Sequence, residues 1–311
     1  MSLPSYIRAL LLVLGFFLQA SAAQAVNCNA TISSINFGSI SVRAGAVNQT
    51  SGVVTITCTG LLGLAVGVCV KIGTGSGGGS GSNSPRYLVN ATGDRLNYEL
   101  RPNGNGPING TWNQQYYLSI ISVGTVSWTI PIFASITSNT VAVDTGSYSS
   151  IFSGVSDASI TYGVASCAIL GSENPIPDFS VSADVVPSCE LDVTAMNFGN
   201  LNTQVLAPVD QNATVNVRCT DSTDYSVTLS QGSGGGTGPT DRRMKNGSHE
   251  LRYGLYQDAS RTAPWGESLS NDVDSTGIGS NQAFTIYGRI PANQSAYFGT
   301  YSDSVVVTVN Y

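Results

Sequence analysis

Beyond residue 25, apolar and polar positions fall into short stretches rich in β-branched and aromatic residues, separated by clusters of Gly, Asn, Pro and Ser. Such stretches with turn signals between them predict β-strands. They cover residues 31–37, 53–58, 66–72, 96–100, 117–123, 126–134 and 158–162, then 214–219, 225–229, 283–290 and 305–309. Ile132 and Phe133 read as strand core, and no helical period is visible beyond residue 25. Many short strands of this kind suggest a sandwich. The first 25 residues differ. Arg8 precedes an apolar run from Ala9 to Leu18, and Ala23-Gln24-Ala25 follows as a small-x-small site. That order predicts a secretory signal peptide over 1–25 and an exported mature chain.

The pattern repeats. Cys28, Asn36-Phe37-Gly38 and Cys58-Thr59 return 161 positions later as Cys189, Asn197-Phe198-Gly199 and Cys219-Thr220. Ser76-Gly77-Gly78-Gly79 matches Ser233-Gly234-Gly235-Gly236, Trp112 matches Trp265, and Gly146-Ser147-Tyr148-Ser149 matches Gly299-Thr300-Tyr301-Ser302. Preserved order argues for two copies of one domain, 26–187 and 188–311. An even number of cysteines in an exported chain predicts disulfides. The recurring 30-residue spacing pairs Cys28 with Cys58 and Cys189 with Cys219, which leaves Cys69 for Cys167.

The copies end differently. The last strand of copy two runs to Tyr311, whereas copy one continues from Gly163 to Pro187 after the matching segment. In that continuation Phe179, Val181, Ala183 and Val185 alternate with Asp178, Ser180, Ser182 and Asp184. One face of such a strand is apolar. Residues 178–186 are expected to complete copy one in cis. Copy two would then keep an open apolar groove, an aggregation hazard unless another chain adds a strand. The plainer reading makes 164–187 an extended linker.

Composition narrows the chemistry. The net charge is −6 and only 10% of residues are charged, with no basic run. This argues against nucleic acid and against anionic membrane. His249 is the single histidine, in a polar turn, and it builds neither a nucleophile relay nor a usual zinc site. The Gly-rich tracts lack a following Lys-Ser/Thr, so they are turns rather than phosphate loops. Neither a catalytic role nor a cofactor is expected.

The Cys…Asn-Phe-Gly spacing, the Cys-Thr pairs, the Gly-rich turns and the ending Gly299-Thr300-Tyr301-Ser302-Asp303 with Val305, Val307 and Val309 resemble the spore coat U domain. That domain makes the pilins of archaic, Csu-type chaperone–usher pili. The resemblance implies two tandem immunoglobulin-like pilin β-sandwiches, the second lacking its final strand. It implies that Phe179-x-Val181-x-Ala183-x-Val185 is a donor strand and that no donor precedes Cys28. Copy one would then be the exposed tip domain. Copy two would be joined to the fibre by donor-strand complementation. The implied partners are a periplasmic chaperone that reads Val305, Val307, Val309 and Tyr311, an outer-membrane usher and an adjacent pilin subunit. The implied place is an extracellular pilus tip serving attachment and biofilm formation.

Copy one carries Leu61, Leu62 and Leu64 where copy two is polar, from Asp221 to Asp224. These leucines, with Ile108 and Trp112, are candidates for contact with a hydrophobic or host surface. Their bland alternative is the sandwich core. A structural coat or shaft subunit and a sugar-binding module using Trp112 are the competing functions.

Overall fold

The computed structural model describes residues 26–43, 46–60, 64–79, 86–101, 112–120, 124–137, 143–164, 167 and 171–311. As far as Pro187 the elements are β1 (Asn27–Ile32), β2 (Ile35–Ile40), β3 (Val47–Gly60), β4 (Leu64–Ile72), β5 (Arg86–Val89), β6 (Arg95–Arg101), β7 (Trp112–Ile120), β8 (Gly124–Thr137), β9 (Gly146–Phe152), a single helical turn α1 (Gly154–Asp157), β10 (Ala158–Val164), β11 (Ser172–Pro175) and β12 (Phe179–Val185). Then come β13 (Cys189–Val193), β14 (Gln204–Val205), β15 (Val209–Cys219), β16 (Asp224–Leu229), β17 (Arg242–Asn246), β18 (His249–Tyr256), β19 (Val273–Thr276), β20 (Gln282–Ile290), β21 (Gln294–Ser295) and β22 (Val307–Asn310).

The N-terminal half forms an eight-stranded sheet, β1-β3-β8-β6-β5-β9-β12-β2, and a four-stranded sheet, β11-β10-β4-β7. The C-terminal half repeats most of this. Its five-stranded sheet β13-β15-β20-β18-β17 corresponds to β1-β3-β8-β6-β5, and β19-β16-β22 corresponds to β7-β4-β10. Buried apolar side chains gather into two separate clusters, one drawn from residues 28–185 and one from 205–290. Period-two alternation builds both. In β1, Cys28, Ala30 and Ile32 point inward while Asn27, Asn29 and Thr31 face out.

Disulfides join Cys28 to Cys58, Cys69 to Cys167, and Cys189 to Cys219. The first and third tie directly opposed residues of β1–β3 and β13–β15. Beneath each Gly-rich turn lies a buried arginine. Arg86 donates from Nε to the carbonyl of Gly73 at 2.7 Å and from Nη2 to that of Ile72 at 3.1 Å. Arg242 donates to the carbonyls of Ser230, Pro239, Leu229 and Trp265 at 2.6–3.0 Å. Burial pulls both guanidinium groups below their ordinary value. A Cβ at Gly77 or Gly234 would collide with the carbonyl oxygen of Tyr87 or Arg243, which explains glycine there.

Several expectations shift. Residues 31–37 are two strands, because the chain leaves β3 at Ser33–Ser34 and crosses to pair with β12 at the far side of the sheet. The strand expected over 117–123 lies in β7 as far as Ile120, its residues 121–123 being outside the described ones, and that over 305–309 starts at Val307. Phe133 is 39% exposed while Ile132 is fully buried. Adjacent residues of one strand face opposite ways, so both cannot be core. A single helical turn, α1, stands between β9 and β10, where the second half has only Val306.

Candidate functional site

In the N-terminal half, β12 lies between β9 and β2. It runs antiparallel to β9, with Phe179 opposite Phe152 and Val185 opposite Gly146. It runs parallel to β2, with Val181 opposite Ile35 and Val185 opposite Ile40. Phe179, Val181, Ala183 and Val185 are at most 4% exposed, and the Phe179 and Phe152 rings stack at 4.5 Å. Burying each Val or Phe contributes roughly 1.5–3 kcal/mol. Asp184 stays outside and accepts a bond from the Ser147 hydroxyl at 2.5 Å.

The second half contains both neighbours of such a strand but nothing between them. Asn197-Phe198-Gly199 repeats the β2 turn: Gly199 N–H donates to Asn197 Oδ1 at 2.8 Å, as Gly38 N–H does to Asn36 Oδ1 at 2.7 Å. Gly299 (φ +130°) repeats Gly146 (φ +127°) at the start of the β9 counterpart. Yet 196–201 forms no strand, and 299–306 keeps one isolated bridge, Ser302 with Lys245. Where Tyr148, Ser150 and Phe152 are fully buried, Tyr301, Asp303 and Val305 are half-buried. Removing the middle strand leaves its two flanks without a ladder and their inward faces wet.

The vacancy is a groove. Two adjoining cavities of 480 and 580 Å³ share Met196, Phe198, Met244 and Tyr301. The first also touches Leu229, Leu255, Ile286, Val305 and Val307. Its one carboxylate is Asp303, in the place of Ser150. Gly234 N–H donates to Asp303 Oδ1 at 2.9 Å, as Gly77 N–H does to Ser150 Oγ at 3.1 Å. Tyr253 donates its hydroxyl to Asp303 Oδ2 at 2.7 Å. Burial, then the Asp303 carboxylate, push that phenol well above the ordinary tyrosine range. The groove is therefore apolar along its floor, with its single charge held by the Gly-rich turn.

Val305 and Val307 line this groove, whereas Val309 lies further along β22 and Tyr311 is 61% exposed. The corresponding Tyr162 is 6% exposed, because β11 covers the outer edge of β10. Among the described residues nothing covers the matching edge of β22. Leu61, Leu62 and Ile108 lie outside the described residues; Leu64 and Trp112 are the first backbone positions of β4 and β7. Trp265 is buried and donates its indole N–H to the Val227 carbonyl at 2.9 Å. His249, at the start of β18, is exposed. Sequence reasoning missed Arg86, Arg242 and the part played by Asp303. A shared signal existed: each Ser-Gly-Gly-Gly tract is followed by an arginine at nearly the same distance.

The model of the Spore Coat Protein U domain matches residues 15–153 and again 177–308. The chain belongs to this family. The second match opens on the β12 segment. Protein U of Myxococcus xanthus is 30% identical to this Spore Coat U chain over 127 residues, 37% of this chain and 71% of that protein. A solved chain-level likeness comes from the CsuC–CsuE chaperone–tip adhesion subunit pre-assembly complex of the archaic chaperone–usher Csu pili of Acinetobacter baumannii. It has a TM-score of 0.53 and 19% identity, and covers 91% of this chain and all of that one. The fold of this Spore Coat U chain is thus the all-β, immunoglobulin-like sandwich of pilus subunits.

Proposed function

We propose that this chain is the tip subunit of a chaperone–usher pilus and takes no catalytic part. Its domains are 26–187 and 188–311, exported behind a signal peptide. The first is completed in cis by β12 and carries the surface that attaches the cell, with Leu61, Leu62, Leu64, Ile108 and Trp112 as its contact residues. The second is an acceptor. A periplasmic chaperone first fills its groove along Val305 to Tyr311, and an adjacent pilin subunit replaces it after passage through the usher. One observation carries the reading: one sheet position is filled by Phe179–Val185 in the first half and vacant between 196–201 and 299–305 in the second. An open edge beside an apolar groove is the setting for β-strand addition.

The test is a peptide copying residues 178–186, added to the purified mature protein. Binding that raises the melting temperature of one of two unfolding transitions, and suppresses aggregation, is the expected result. A stable monomer indifferent to the peptide would overturn the reading.

A further inference from the structure

The junction between the halves is a template for the next one along a fibre. Val186 N–H donates to the Ile40 carbonyl at 3.0 Å, and Thr220 N–H donates to the Ser188 carbonyl at 2.9 Å. Only Pro187 lies between these two anchors. From Val185 to Cys189 the chain spans at most about 14 Å. A strand in the position of β12 therefore brings the body that follows it hard against the start of β9. The contact is visible: Ser222, on the loop after Cys219-Thr220, donates its hydroxyl to Asp144 Oδ1 at 3.2 Å, and Asp144 bridges Asp221. Asp144 stands two residues before Gly146.

Two residues before Gly299, the counterpart of Gly146, stands Tyr297. Its surroundings are unlike those of Asp144. Tyr297 and Phe298 are 52% and 73% exposed, with ring centroids 4.3 Å apart. The His249 ring also stacks on Tyr297, at 4.4 Å between centroids. Asn246 fixes the shelf by donating its side-chain amide to the Phe298 carbonyl at 3.1 Å. We propose that the His249–Tyr297–Phe298 shelf is the docking surface for the body of the subunit whose strand enters the groove. The inference rests on the strand-acceptor reading. The occupant is a second Spore Coat U-type chain, which enters with its donor strand parallel to 196–201, so that the strand's C-terminal end exits at Gly299. The loop that meets the shelf is the one following its second cysteine, the counterpart of this chain's own Asp221 to Asp224. Three exposed rings in one patch supply the kind of anchor that such an interface needs.

Photo-crosslinking in fibres isolated from the native cells tests this. The full chain carries p-benzoylphenylalanine at Phe298 in one variant and at Val305 in another. The expected result is a covalent adduct, larger by one subunit, from each. From position 305 the adduct maps to the alternating apolar strand before the first cysteine of the partner. From position 298 it maps to that same partner's body, at the loop after its second cysteine. An adduct from 305 with none from 298, or with 298 joined to the strand or to another class of protein, overturns the shelf and leaves the strand acceptor standing. No subunit adduct from either position overturns both.

Discussion

Arg242 shows how one buried residue organises a turn. It is fully buried and its guanidinium donates to four carbonyls. Arg242→Met keeps the bulk but removes these donors; the Pro239 carbonyl keeps the Leu255 N–H at 3.1 Å, while a buried carbonyl left without any partner costs roughly 1–3 kcal/mol. We expect the urea midpoint of one transition to fall by the equivalent of about 3 kcal/mol or more, with the other unmoved. Asp258 governs a different loop. Its carboxylate accepts from the hydroxyls of Ser260 and Thr262 and from the backbone N–H groups of Ala263 and Thr262. These bonds, the Ser260 hydroxyl first, hold it well below the usual carboxylate range. A lowered folded value means the loop is stabilised above the unfolded value of about 4 and loses that support as pH falls through the folded one. Hydrogen exchange at Thr262 and Ala263, corrected for intrinsic rate, should stay slow until pH is far below 4. In Asp258→Ala it should be fast already at neutral pH.

At the scale of elements, β12 is the piece that makes its neighbours strands. β2 pairs with no other strand among those described, and beyond β12 the ladder of β9 reaches only Val89, through Ser149. Val181 is fully buried at its centre. Val181→Asp puts an unpaired carboxylate into that core and should cost several kcal/mol. Thermal unfolding would show the transition of the first half lowered, while the 178–186 peptide still raised the other. Loss of both effects together would mean that the halves do not fold independently. The alternation that marks β12 was legible in the sequence, as were β3, β15 and β20, since each has one buried face and one that reaches solvent. The split of β1 from β2 was not. It depends on which strand each segment pairs with, and pairing between residues far apart leaves no local trace.

Over the whole molecule, two apolar clusters and disulfides confined to one half or the other predict two separable unfolding steps. The Cys69–Cys167 link closes a loop with a sequence separation of 98. On the chain-entropy account such a loop contributes about 4–5 kcal/mol. Calorimetry on the Cys69→Ser, Cys167→Ser double variant should show the first half melting lower and the second unchanged. A shift in both transitions would mean that the link also supports the junction between the halves.

The sequence by itself determined the all-β class, the duplication, the cysteine pairs and the segment that alternates before Cys189. Each of these is written in periods and spacings short enough to read along one chain. Tertiary structure alone decided that the flanks of the vacant position lose their ladder, that Asp303 stands where Ser150 does, and that His249, Tyr297 and Phe298 meet in one patch. These depend on residues far apart in the sequence being brought together. The free energy of such a contact depends on what lies across the sheet, and a sequence read in order does not contain that distance.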